Sequence, residues 1–222
     1  MHRRWLARAL TALVAPAVIV PALATSASAA AEVPGIDEVA QIYPHLEGGT
    51  ASESTSKVYG PAKKCKTKAI KGASQTTASY SPDYSSGDPD VYVIDGEHPS
   101  VSATAMQFPS TKAAVKYLHG YAKFAKDCPG TNPGGGGGGG GGGADCKSSM
   151  KKIKFKLGDE RWGYQMKSTC KIGDQTTTMV FNSLFSRKGK FIVYTSAMSM
   201  DATAPSIPKS IEMTELALKT VS

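Results

Sequence analysis

Apolar residues along the chain recur in some stretches at helical spacing and in others at every second position, and the switches between the two mark out its elements. In "PSTKAAVKYLHGYAKFAKD", Ala114, Tyr117, Leu118, Tyr121 and Ala125 return at helical spacing, while Lys112, Lys116, Lys123 and Lys126 fall largely on other faces. Ser110 stands where an N-cap is needed, and Cys128-Pro129-Gly130 ends the helix. Beyond the glycine run Gly134–Gly143 the period becomes two. Ile153, Phe155 and Leu157 alternate with Lys152, Lys154 and Lys156, and Trp162, Tyr164 and Met166 alternate with Arg161, Gly163 and Gln165. "TTTMVFNSLFS" and "KFIVYTSAMSM" flank "RKGK", a hairpin with Gly189 in its turn. "PSIPKSIEMTELALKTV" reads as a closing helix with Pro208 in its first turn.

The first half is less sharply patterned. A short helix is expected from about Asp37, residues 47–56 are small and polar and read as a loop, and the basic segment Lys57–Gly72 reads as a strand or an irregular stretch pinned by Cys65. "SPDYSSGDPD" carries the turn residues Pro82, Gly87 and Pro89. Two β-rich runs, Val91–Ile94 and Val101–Phe108, follow, joined by "DGEHPS". The resulting order is helix, two strands, helix, four strands, helix. It predicts an α+β fold, mainly antiparallel sheet with helices packed on one face.

The N-terminus changes the picture of where the protein works. Arg3, Arg4 and Arg8 precede an apolar run from Ala9 to about Ala24, and "SASAA" offers cleavage near Ala30. This is the layout of a secretory signal peptide over residues 1–30, and Pro16 and Pro21 break a run already short for a bilayer span. Cleavage removes three arginines and no acid, which lowers the formal net charge from +8 by three to +5. An exported chain with the four cysteines Cys65, Cys128, Cys146 and Cys170 is expected to carry two disulfides; no C-x-x-C pair suggests zinc, and three pairings are open.

Candidate chemistry is sparse. His45, His98 and His119 accompany no G-x-S-x-G elbow and no H-E-x-x-H pattern, so each is read as a surface or structural residue. The acids Asp83, Asp88, Asp90, Asp95 and Glu97 lie among Pro, Gly and Ser and read as a solvated loop. Lys152, Lys154 and Lys156 place several ammonium groups on one strand face, and Lys63, Lys64, Lys66 and Lys68 surround Cys65. Such clusters suit an anionic cell-wall polymer or lipid headgroup, or the protection of a sheet edge. Nucleic acid is not expected, because Phe155 points away from the lysine face. Trp162 and Tyr164 share a strand face, where they line a ligand cleft or pack a core. Met198 and Met200 also share a face, as copper-binding methionine pairs do, but are read as core.

The long gap between Cys65 and Cys128, the segment "FPSTKAAVKYLHGYAKFAKDC", the pair Cys146 and Cys170, the "SRKGKFIVYTSAM" hairpin and the closing helix together resemble the PknH-like extracellular sensor domain of actinobacteria over roughly residues 36–221. That resemblance implies the pairing Cys65–Cys128 and Cys146–Cys170, and an α+β domain with a deep cleft for a poorly defined ligand. With Cys128 and Cys146 stapling its edges, the glycine run is read as a disordered loop, residues 131–145, inside one domain.

The expected organisation is therefore a signal peptide (1–30), an N-terminal helix and polar loop (31–56), and one sensor-like domain (57–222). The expected function is that of a secreted, monomeric, non-enzymatic domain of the cell envelope. It would hold a small, lipid-like or wall-derived ligand through Trp162, Tyr164, Lys152, Lys154 and Lys156, without metal, cofactor or transmembrane segment. The competing readings are a secreted hydrolase or hydrolase inhibitor, and a wall-polymer adhesion module.

Overall fold

The computed structural model describes residues 31–127 and 145–221. Its seven described strands form one antiparallel sheet. They are β1 (Thr50–Pro61), β2 (Thr67–Ser81), β3 (Ser100–Gln107), β4 (Asp145–Lys152), β5 (Glu160–Ile172), β6 (Gln175–Lys188) and β7 (Phe191–Ser199), in the spatial order β1-β2-β3-β7-β6-β5-β4. Strands from before and after the glycine run thus share one sheet, joined where β3 pairs β7 from Ser100↔Met198 to Gln107↔Phe191. Three helices accompany it: α1 (Ile36–Ile42), α2 (Thr111–Asp127) and α3 (Ile207–Thr220). As expected, Ser110 Oγ accepts from the Ala113 amide at the start of α2, and Pro208 lies in the first turn of α3, where Ser206 Oγ accepts from the Lys209 amide.

The helices cover both faces of the sheet, a correction to the expected single face. Val101, Ala103, Ala105, Val193 and Ala197 pack with Val39 of α1 and Met213 and Ala217 of α3. Met106, Phe185 and Ile192 point the opposite way and pack with Ala114, Tyr117, Leu118 and Tyr121 of α2. The reason is in the central strands. Consecutive positions such as Ala105-Met106, Leu184-Phe185 and Ile192-Val193 are apolar, so both faces need cover.

Three other expectations are corrected. Residues 50–56 belong to β1, not to a polar loop, and β2 extends the same hairpin. The side chains of Ser52–Lys57 are exposed on an edge strand, so no hydrophobic alternation betrays it. Val91–Ile94 is no strand. Asp88 Oδ1 accepts from the Asp90 amide and caps a 3-10 turn at Pro89–Tyr92. The stretch Ile153–Leu157 makes no ladder beyond the bond from the Ile153 amide to the Gly163 carbonyl at 2.9 Å, although its apolar residues do turn inward and its lysines outward.

Among the described residues one disulfide is complete, Cys146–Cys170, between direct register partners on β4 and β5. Cys65 is also disulfide-bonded, but Cys128, the partner the resemblance implies, lies outside the described residues. The expected signal peptide and the expected loop over residues 131–145 lie outside them too, apart from Asp145, which opens β4.

One buried polar group fixes α3 to the sheet. Asn182 on β6 is fully enclosed, its Nδ2 donating to the Pro205 carbonyl and to Ser210 Oγ, each at 3.0 Å, while its Oδ1 accepts from Gln165 Nε2 at 2.9 Å. Replacing Asn182 by Leu strands those partners, and is expected to cost about 2–3 kcal/mol in chemical denaturation.

His45 makes folding sensitive to acid. Its Nε2–H donates to the Pro99 carbonyl at 3.1 Å, while its Nδ1 is buried without a partner. Burial first, and the nearby His98 and Lys209 next among the opposing charges, hold its pKa below the ordinary 6.5. The unfolded chain therefore takes up this proton first, so stability falls as pH drops below about 6.5 and continues to fall until the folded residue titrates. Melting temperature measured from pH 7.5 to 5 is expected to decline with pH, and H45Q, which keeps the bond to Pro99, is expected to flatten that decline.

Candidate functional site

At one end of the sheet, α2 faces the connection from β4 to β5 across a cavity of about 730 Å3. Leu118, His119 and Ala122 of α2 form one wall, and Lys152 to Lys156 with Glu160 to Gly163 form the other. Two glycines shape the second wall. A side chain on Gly163 would strike the Phe155 ring, so the absence of one lets the 153–157 segment lie close against β5. Gly158 has φ +62° and abuts the Arg187 carbonyl, a conformation and a closeness that favour glycine.

Lys152, Lys154 and Lys156 are all exposed on this wall, and Trp162 is half-buried at its base. The structure thus brings four of the five expected binding residues to one cavity. Tyr164 does not line it. Its ring centroid lies 4.9 Å from that of Trp162, and it is the register partner of Lys152, so it supports the wall from the sheet face. Trp162 also stacks on Phe185 at 5.4 Å and meets Tyr121 edge-on at 6.0 Å, so its ring joins the core below α2 to the cavity. Burial raises the hydroxyl pKa of Tyr121 and Tyr164, the two rings that support Trp162.

Glu160, the lone acid among the described residues of the lining, is held from two sides. His119 Nε2 lies 3.1 Å from its Oε2, and Arg187 Nη2 lies 3.4 Å from its Oε1. Arg187 is buried and also donates to Asp159 Oδ2 and to the Gly189 carbonyl, each at 2.9 Å. Arg161 Nε donates to the Phe155 carbonyl at 2.9 Å and so braces the wall that carries the lysines. The site is consequently a basic rim over an aromatic and aliphatic floor, with its one carboxylate already paired.

Against the expectation of a surface or structural residue, His119 lies at the cavity within hydrogen-bond reach of a carboxylate. That arrangement is one mark of an acid–base enzyme. Two features weaken it here. His119 is 69% exposed, and among the described residues of the lining there is no serine, threonine or cysteine to serve as nucleophile. Glu160, Arg161, Phe155, Leu118 and Ala122 were not singled out by sequence reading. Gly163 was the available signal, since glycine inside a strand marks a close approach, and Leu118 and Ala122 stand four residues apart on one helix face.

No family model matches the chain, and no curated protein matches it. Two solved structures are similar to it. The extracellular domain of PknH from Mycobacterium tuberculosis is 12% identical, with 85% of this chain and 92% of that one covered at a TM-score of 0.47. LpqN, involved in cell envelope biogenesis of the same organism, is 12% identical, with 76% and 81% covered at a TM-score of 0.24. The resemblance drawn from sequence finds its counterpart in these neighbours as a diffuse one.

Proposed function

We propose that the mature protein is a secreted, non-enzymatic binding domain of the cell envelope that takes a small or lipid-like anionic ligand into the cavity between α2 and the β4–β5 connection. The observation that carries this reading is the composition of the cavity. Lys152, Lys154, Lys156 and Arg161 stand over Trp162, Phe155, Ile153 and Leu118. A cavity of about 730 Å3 has the size of a small-molecule site. Ammonium and guanidinium groups at its rim suit a phosphate or carboxylate head, and the floor suits an apolar portion. The lysines keep the charge exposed, so they attract the head without the desolvation that a buried ion would cost.

The hydrolase reading keeps one specific support, the His119–Glu160 pair. In that reading His119 would activate a water against a ligand held by the lysines. Its exposure, and the sharing of Glu160 with Arg187, favour binding and orientation instead.

Native mass spectrometry of the protein purified from its own culture medium tests the proposal. A co-purifying anionic molecule is expected on the unaltered protein. It should be lost from the variant carrying K152S, K154S and K156S, and occupancy should fall about tenfold for W162A, equal to about 1.4 kcal/mol of binding. A bare mass from the unaltered protein overturns the reading. Mass-shifted, cleaved ligand that becomes intact in H119A favours the hydrolase.

A further inference from the structure

The sheet of described strands has two edges, and the sequence treats them differently. At one end β4 carries exposed Lys147, Lys151 and Lys152, a row of like charges that discourages pairing with a second strand, and Cys146 ties it to β5. At the other end β1 carries a single lysine, Lys57. Its only proline is Pro61, its last residue, and its register irregularity falls between Lys57 and Tyr59. From Ser52 to Lys57 the side chains are exposed on both faces, so no described helix or loop covers this stretch.

β1 pairs with β2 on one side, and alternate residues therefore turn their N–H and C=O groups outward. Among the described residues, nothing outside the sheet bonds to the backbone of Ser52–Lys57. Such an edge is a template for a further antiparallel strand. Apolar contact contributes little here. Tyr59 is the one large apolar side chain exposed on β1, and Met200, corrected from its core reading, stands exposed just past the end of β7, three strands away.

Charge selects the occupant. Within Ser52–Lys57 the charged residues are Glu53 and Lys57, and among the described residues neither has an ion-pair partner. They stand four residues apart in the regular part of the strand and so share a face. When a strand pairs antiparallel with its own copy about a two-fold axis, the residue on the axis meets itself, and residues equally far on either side meet each other. With the axis at Thr55, Glu53 of each copy faces Lys57 of the other, Ser54 faces Ser56, and Thr55 faces Thr55. Opposite charges and threonine pairs are favourable cross-strand neighbours. An axis at Glu53 sets two glutamates face to face, and one at Lys57 sets two lysines so. An axis at Ser54 or Ser56 puts each charge opposite an uncharged residue. Of these five registers, the one centred on Thr55 satisfies both charges, and a second copy supplies it by symmetry.

We propose that β1 is a homodimerisation edge, which joins a second copy of this chain by antiparallel pairing centred on Thr55 with reciprocal Glu53–Lys57 pairs. The expected monomer is thereby replaced by a two-fold dimer whose sheet runs through both subunits. A contact this short belongs with small, transient interfaces, so the dimer is weak and depends on concentration. The lysine wall of the cavity stands at the opposite edge of the sheet, so the interface does not rest on the ligand proposed for it.

Sedimentation velocity of the mature, oxidised protein from about 0.01 to about 1 mM is expected to show a monomer–dimer equilibrium. E53K and K57E each make both pairs repulsive, and each is expected to weaken the dimer at least about tenfold. The double variant E53K/K57E restores opposite charges across the axis and is expected to bring the dissociation constant back to within about threefold of the original. That recovery also excludes loss of fold as the cause of the single-variant effects. A monomer throughout the range, a dimer that E53K leaves unweakened, or a double variant no tighter than its single parents overturns the proposal.

Discussion

The ladder between β3 and β7 is the constraint on which the rest of the molecule depends. Apart from it, every strand pairing is between neighbours in sequence: β1 with β2, β2 with β3, β4 with β5, β5 with β6, and β6 with β7. Those pairings would make two separate antiparallel ribbons, one on each side of the glycine run. The ladder from Ser100↔Met198 to Gln107↔Phe191 makes them one sheet. Its side chains are sealed on one face by α1 and α3 and on the other by α2, so the sheet joins at its most buried place. The chain between the two halves has only to reach, and loop length costs stability only logarithmically.

The cavity follows from the same junction. The Phe108 amide at the end of β3 bonds to the Lys190 carbonyl in the β6–β7 turn, and α2 starts three residues later. This lays α2, from the first half, against a wall built wholly by the second half. The ring chain Tyr121, Trp162 and Phe185 continues the core into the cavity floor, while Glu160 ties His119 to the buried Arg187. This cavity takes lining from both halves. Packing supplies the floor and the edges supply the charge.

Sequence reading found the elements that bury a regular stripe and missed those that do not. The α2 stripe, the β6–β7 hairpin and the α3 start were legible because periodicity, caps and turn glycines agreed. The β1–β2 hairpin was hidden because Ser52–Lys57 expose their side chains, and an edge strand of small polar residues has the composition of a loop. The second covered face was written in neighbours such as Ile192-Val193, which reading by alternation alone assigns to one side. For the site, the lysines and Trp162 were legible as types in a pattern. Glu160 and His119 were not, because their meeting depends on a contact between residues 41 positions apart.

The Cys146–Cys170 bond bears on where this protein can be assembled. It joins register partners on the outermost strand and its neighbour, so it guards the free edge of the sheet against fraying. Six residues further along that strand stands Lys152, the first residue of the basic wall. In a reducing compartment β4 would keep its hydrogen bonds to β5 but lose this covalent tie. Oxidation of this pair thus secures the edge strand that leads into the lysine-bearing segment.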